Sequence, residues 1–333
     1  MIVIFNAGSS SFKWKLFDSK LNELESSEEE TIFPRLEKMN VDFVGHRYVH
    51  GGSLRKSQKV DRNTIFELES VINLAPLHNK KALEVLRKSL RSNPQIPNYV
   101  VFDSEFFLNL PDFAKIYAIP YKFFEEGIYK YGFHGISHEY AFLEGCRELD
   151  LNPKKSKIIT IHLGAGCSMT AILNGTAVDT SMGFTPNEGL VMATRSGDID
   201  TGLINILHQN YHLSIVQIDD LINNKSGWKG LTGTEDFLKV LTNLTNGEKE
   251  EKQRSLLTLE IMAYKIKKYI GSYAAVLGGV DAIIFTGVIG YSKEAKTLRQ
   301  MSLSNLNFLG HFKVLEIEPN EELAIARKII NYY

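Results

Sequence analysis

One local plan occurs twice in this chain: an apolar strand, a tight turn of very small residues, and a second strand. At residues 2–17, IVIF leads through NAGSSS into FKWKLF. Phe12, Trp14 and Leu16 alternate there with Lys13 and Lys15, which predicts a half-buried strand. At residues 157–173, KIITIHL leads through GAGCS into MTAIL. The two turns share a pattern and not an identity, so the repeat is one of plan. A chain that opens two hairpins this way is expected to build two sheet-based units.

The remaining patterns fit an α/β chain. Strands are expected near 41–49 and 97–102, with a helix after Pro76 carried by Ala82, Leu83, Val85, Leu86 and Leu90. Further helices are expected near 139–149, 199–209, 214–224, 234–245 and 250–276. VDAIIFT (280–286) and FKVLEIE (312–318) read as strands. Asn320 reads as the N-cap of a closing helix, with Glu321 and Glu322 in its first turn. No low-complexity tract or obvious linker interrupts the sequence, and GEKEEKQR (247–254) reads as a solvated helix start.

Length and charge narrow the function. A chain of 333 residues is expected to form two domains. The 38 basic and 39 acidic residues nearly cancel, so no general attraction to nucleic acid or an acidic membrane follows. Any anion chemistry must rest on locally placed cations. The two cysteines, Cys146 and Cys167, favour a reducing cytoplasm over a disulfide framework. The start, MIVIFNAGSS, lacks the basic region and long apolar run of a signal peptide. Residues 272–291 are the most apolar stretch. Asp281 and several glycines interrupt it, which predicts a helix end, a buried strand and turns rather than a membrane span.

Small residues in a tight turn let backbone N–H groups approach an anion, and serine hydroxyls add donors. Ser9, Ser11 and Lys13 could therefore cradle phosphate, as could Gly164 and Gly166 in the second turn. A plain hairpin explains either turn taken alone. Two such turns, one per domain, are expected to face each other across a cleft.

Longer motifs now carry more weight. NAGSSSFK, GHRYVHGG, LAPLHN, VFDSEF, YGFHGISH, HLGAG, VDTSMGFTPNEGLVMATRSGDID, GGVDAIIFTGVIG and NEELAIAR occur in an order that resembles the acetate kinase family, from residue 2 to about 328. The resemblance implies a duplicated actin/sugar-kinase/Hsp70-like (ribonuclease H-like) fold, two α/β domains around a nucleotide cleft. Residues 1–137 would form the N-terminal domain and 138–316 the C-terminal, nucleotide-side domain, with a helix at about 317–333 packing back on the first. The implied reaction joins acetate and ATP to give acetyl phosphate and ADP, with Mg²⁺, in a cytoplasmic homodimer that binds neither nucleic acid nor membrane.

That chemistry brings two anions together. At 4 Å two unit charges repel by about 4 kcal/mol at an effective dielectric of 20, so cations must offset it. The resemblance assigns Arg47 to the acyl carboxylate, and Arg195 and His134 to the transferring phosphoryl group. It assigns Asp103 a place near the metal and phosphoryl, and makes Asn6 and Glu321 the metal residues. The acyl pocket would be Val49, Leu77, Phe133 and Pro186, with His78 close by. The nucleotide would meet His162, Gly164, Gly166, Asp236, Gly287 and Gly290. The histidines of HGISH, His134 and His138, also have i,i+4 spacing, but no glutamate follows the first and no third ligand is evident, which disfavours zinc.

The departures from the family cluster on the nucleotide. Ala165 stands where the family turn has Asn, Leu238 where it has Arg, Val288 where it has Gly, and Tyr291 where it has Glu. The chain is also short for the family, with the loss between residues 20 and 100 and around 228–236. Three alternatives follow: an acetate kinase with another donor such as pyrophosphate, a propionate or butyrate kinase, and a non-catalytic sensor on the same fold.

Overall fold

A computed structural model describes residues 1–8, 12–72 and 76–330, without the side chains of Pro76 and Leu77. Ser9 and Ser11 lie outside the described residues, and so does the side chain of Leu77. The chain divides into two units: residues 1–108, 133–140 and 320–333 form the first, and 109–132 with 141–319 the second. The division falls inside the helix Gly135–Glu148.

Six strands build the sheet of the first unit: β1 (Ile2–Ala7), β2 (Phe12–Phe17), β3 (Glu23–Ser27), β4 (Phe43–Tyr48), β5 (Gln58–Lys59) and β6 (Asn98–Phe102). Their order is β3-β2-β1-β4-β6-β5. β1 pairs antiparallel with β2 and parallel with β4, and β4 runs parallel to β6. Side-chain alternation sends Val3, Phe5, Trp14, Val44 and Val100 to one face, where Ala82, Leu83, Val85 and Leu86 of the helix Pro76–Ser92 cover them. Ile2, Ile4, Phe43 and Val101 face the other way, under Ile325, Ala326 and Ile329 of the closing helix Glu321–Ile330.

With both faces covered, β2 is more deeply buried than a half-buried strand. Lys15 is only 8% exposed. Alternation alone cannot foresee this, because the covering helix comes from the far end of the chain.

The second unit repeats the plan with β7 (Lys157–Leu163), β8 (Cys167–Leu173), β9 (Thr176–Thr180), β10 (Ala282–Thr286) and β11 (Lys313–Glu316), ordered β11-β10-β7-β8-β9. The β7–β8 hairpin is antiparallel, and β10 runs parallel to both β7 and β11. Each sheet thus opens on a three-stranded meander and extends from its first strand through parallel crossovers. The long helix Lys249–Leu277 buries Leu259, Met262, Ile266, Ile270 and Tyr273. Gly278 ends it in the left-handed conformation.

Candidate functional site

The parallel strands of the first unit end together. Asn6, Arg47 and Asp103 stand at the carboxyl ends of β1, β4 and β6, on the face covered by the closing helix. Open α/β sheets place their ligand chemistry at such ends. Arg47 donates from Nε to Asp103 Oδ1 at 2.9 Å and from Nη2 to Asp103 Oδ2 at 2.7 Å. Its Nη1 lies 3.0 Å from Asn6 Oδ1 and 2.9 Å from a Glu321 carboxylate oxygen. The Asn6 amide donates in turn to Glu321 at 3.0 Å and Glu322 at 2.7 Å. A guanidinium has five N–H donors, so these contacts leave Arg47 about one unaimed N–H. Burial pulls the Arg47 pKa down, but Asp103 and then Glu321 outweigh it and hold the guanidinium above its ordinary range.

Sequence reasoning missed two members of this cluster. Glu322, 4% exposed, is a second carboxylate on Asn6. Lys15 pairs with Glu23 at 2.7 Å, lies 4.0 Å from Glu322 and donates to Asn320 Oδ1 at 3.2 Å. The only signal for either was a charged residue beside a recognised motif. Lys13 stands opposite Asn6 in the β1–β2 register, at the start of β2.

His134 and Asp103 are tied through the backbone. His134 holds a left-handed φ of 60°, and the next amide, Gly135 N–H, donates to the Asp103 carbonyl at 2.8 Å. A Cβ at Gly135 would collide with that carbonyl oxygen, which explains the glycine. Strained backbone of this kind collects at functional sites. Val49 and Phe133 are buried in the same unit, and the His50 and Phe133 rings lie 5.8 Å apart. Asn79, overlooked in LAPLHN, is fully buried. It donates to the His50 carbonyl at 2.8 Å, accepts from His50 N–H at 3.3 Å, and offers its own carbonyl to Tyr48. It fixes the segment carrying Val49 to the start of the helix that bears His78.

Arg195, in the second unit, has a different environment. Its Nη1 donates to the Pro186 carbonyl at 2.6 Å. Among the described residues no carboxylate lies within ion-pair distance of it. Burial pulls its pKa down. The neighbouring Cys167 thiol is pushed up to about 12 by burial and so offers no countercharge. The β7–β8 turn is attached to this segment: the Ala165 carbonyl accepts from Ala193 N–H at 3.0 Å. Gly164 and Gly166 close that turn with a 3.0 Å hydrogen bond, and His162 precedes it on β7.

The other expected nucleotide residues follow β10 or start a helix. Gly287 and Gly290 belong to the short helix Gly287–Tyr291, where a glycine turn was expected. Asp236 caps the helix Phe237–Asn246, accepting from Leu238 N–H at 2.9 Å. Val288 is 77% exposed, Leu238 56% and Tyr291 43%.

The oxygen donors of Asn6 and Glu321 suit magnesium, a hard cation that takes few protein carboxylates and completes its shell with phosphate and water. Among the described residues no group of three or more His, Cys, Asp or Glu could hold a metal alone. The first-unit cluster nevertheless sets three carboxylates (Asp103, Glu321, Glu322) against two cations (Arg47, Lys15), a balance that admits a further positive charge. In donor chemistry and charge, these residues fit the ion.

A model of the Acetokinase family matches residues 21–330. An acetate kinase of Halothermothrix orenii is 36% identical over 393 aligned positions, covering 98% of each chain. That span exceeds the 333 residues here, so the relative carries insertions this chain lacks. The crystal structure of an acetate kinase from Porphyromonas gingivalis superposes with a TM-score of 0.89 at 32% identity, over 99% of this chain and 98% of that one. A propionate kinase structure from Francisella tularensis gives 0.88 at 31%, over 98% of both chains. The two-sheet α/β architecture is the one those kinases have, and this chain belongs to the acetokinase family.

Proposed function

We propose that this protein transfers the terminal phosphoryl group of ATP to acetate, reversibly and with Mg²⁺, giving acetyl phosphate and ADP. The observation that carries the reading is Arg195: a half-buried guanidinium, held by one carbonyl and opposed by no carboxylate among the described residues. Such a group calls for an anion. Family membership supplies the phosphoryl group as that anion.

In this reading Arg195 and His134 stabilise charge on the moving phosphoryl group, and preorganised donors are worth most where charge develops. Arg47 offers acetate its charge and one N–H, since its other donors are engaged. Asp103 holds that guanidinium in place. Asn6 and Glu321 would hold magnesium, whose contribution when bound is to neutralise phosphate oxygens. Val49, Leu77, Phe133 and Pro186 would enclose the methyl group, with His78 beside them. Lys13, Ser9, Ser11, His162, Gly164, Gly166, Asp236, Gly287 and Gly290 would meet the nucleotide. One methylene changes binding by only about 1–3 kcal/mol, and the acetate and propionate kinase structures resemble this chain almost equally, so propionate is an expected slower substrate.

A second reading concerns the donor. Exposed Val288, Leu238 and Tyr291 put apolar and aromatic surface where a polar nucleotide site is expected, and Ala165 has no side chain to reach phosphate. A donor lacking the purine, such as pyrophosphate, would suit that surface.

A hydroxamate trap for acyl phosphate, with ATP or pyrophosphate against acetate, propionate and butyrate, decides among these. Acetate with ATP should react fastest. Reaction with pyrophosphate alone moves the case to the second reading, and no acyl phosphate from any pair leaves a sensor. We also propose a cytoplasmic homodimer. Leu203, Ile206, Tyr211, Ile215 and Val216 are all at least 46% exposed on the helices Gly202–Tyr211 and Ile215–Asn224, an apolar surface suited to a second copy. Sedimentation should return twice the chain mass, and the protomer mass would refute the dimer.

A further inference from the structure

The segment between β9 and Arg195 has no regular secondary structure, yet side chains hold it closely. Glu188 is the centre. Its carboxylate accepts from Tyr117 Oη at 2.6 Å on one oxygen and from Lys130 Nζ at 3.1 Å on the other. The Tyr117 oxygen also accepts from Phe184 N–H at 2.8 Å, so one phenol joins the two ends of residues 184–188. Lys130 donates further to the Thr180 carbonyl at 2.9 Å, and Tyr131 and Gly132 donate to Gly183 O at 3.1 and 3.3 Å. A Cβ at Gly183 would strike the Glu188 carboxylate and the Tyr117 hydroxyl, so the loop closes only over glycine.

What this closed loop presents is the Pro186 carbonyl, the acceptor for Arg195 Nη1 at 2.6 Å. The other flank of Arg195 is fixed separately. Gly189 N–H donates to Asp198 Oδ1 at 2.7 Å, Asp198 N–H returns to the Gly189 carbonyl at 3.0 Å, and Tyr269 Oη donates to Asp198 Oδ2 at 2.8 Å. The guanidinium itself therefore depends on the 183–188 side. Among the described residues no carboxylate lies near enough to orient it, and one carbonyl sets its direction.

We propose that Glu188, clamped by Tyr117 and Lys130, is a positioning residue that aims the Arg195 guanidinium through the Pro186 carbonyl and sets the place of the Pro186 ring. Glu188 touches no reacting atom in this assignment. The proposal rests on Arg195 acting on the phosphoryl group and Pro186 lining the acyl pocket. It adds the cause of their placement: a loop closed by a carboxylate, a phenol and an ammonium.

The test combines kinetics with a measurement independent of turnover. Glu188→Ala should lower kcat about 10- to 100-fold, as misplacement of a reacting group by about 1 Å does. In an Arg195→Ala background the same change should cost less than about twofold, because residues acting through one another are not additive. The acetate-to-propionate ratio of kcat/KM should also fall in Glu188→Ala, which a general loss of folded protein would not alter. Additive losses, or full activity in a folded variant, would overturn the assignment. Tyr117→Phe, which keeps the Lys130–Glu188 pair, should show the same pattern more weakly and decides the matter if Glu188→Ala does not fold.

Arginine side-chain NMR, with Arg195→Ala to identify the signal, gives the second readout. Slow guanidinium rotation in the wild type, lost in Glu188→Ala or Tyr117→Phe, supports the clamp. An unchanged signal refutes it. A wild-type chain that makes no acyl phosphate would sink the kinase reading alone, and the NMR result would still decide the placement.

Discussion

Arg47 and Arg195 occupy opposite electrostatic situations in two units built to the same strand order. At the ends of β1, β4 and β6 the guanidinium of Arg47 is gripped by Asp103, Asn6 and Glu321, in a cluster with more carboxylates than cations. Beside the β7–β8 turn, Arg195 meets one carbonyl and no carboxylate among the described residues. Repeating a topology does not repeat a chemistry. One unit is prepared to accept positive charge and the other negative.

The contrast breaks most readily at Arg195. Arg195→Ala should lower turnover by about 10²–10³, the usual cost of one preorganised donor. Its stability to urea should stay the same or rise, since the change removes an unpaired, partly dehydrated charge. Unchanged turnover would take Arg195 out of the mechanism. A large loss of stability would mean that it has a structural countercharge after all.

Arg47→Ala should do the reverse in stability. It strands Asp103, whose side chain is 1% exposed, and breaking a buried pair from one side costs about 3–5 kcal/mol. The two tryptophans make the measurement specific, because Trp14 is buried in the first unit and Trp228 in the second. In a Trp228→Phe background, Trp14 fluorescence against urea should show the loss. In a Trp14→Phe background, Trp228 should report a smaller change. Equal shifts at both would erase the difference between the units.

Acid gives a subtler version of the same comparison. Burial pushes both His46 and His50, in the first unit, down to about 4. Neutral in the fold, they would take up protons near 6.5 once unfolded. Their contribution is therefore complete above about pH 6.5 and is lost as pH falls toward 4, by at most about 1.4 kcal/mol per pH unit for each. The Trp14 urea midpoint should decline through that window, and His46→Gln should flatten the decline. A midpoint flat from pH 7 to 5 would rule this out.

Gly135→Ala is the mildest break. Pressing a methyl group against the Asp103 carbonyl should shift that residue and cost on the order of 1–3 kcal/mol, read from the Trp14 transition.

Both hairpins, the helix after Pro76 and the closing helix were legible in the sequence because their signals are local: period-2 alternation, small-residue turns, a capping Asn ahead of two glutamates. Asn6, Arg47, Asp103 and Glu321 were legible through long motifs, and they meet in one hydrogen-bonded group. Lys15, Glu322, Asn79 and Glu188 were not. Each is defined by a partner distant in sequence: Glu322 by Asn6, Glu188 by Tyr117, Asn79 by His50. Lys15 even looked like the wet side of a strand, because nothing near it reveals the cover that residues 320–330 provide. Local pattern reports what a segment prefers, and burial of charge is decided by what arrives on top of it.

That late cover bears on how the protein is made. β1 leaves the ribosome well before residues 321–330, which shield Ile2 and Ile4 and bring Glu321 to Asn6. All five strands of the second sheet are available before then. During synthesis, β1 and β4 must therefore wait with one greasy side bare while the later-encoded unit can already condense. Removing residues 321–330 would strip both the shield and two acids from the group around Asn6 in a single event.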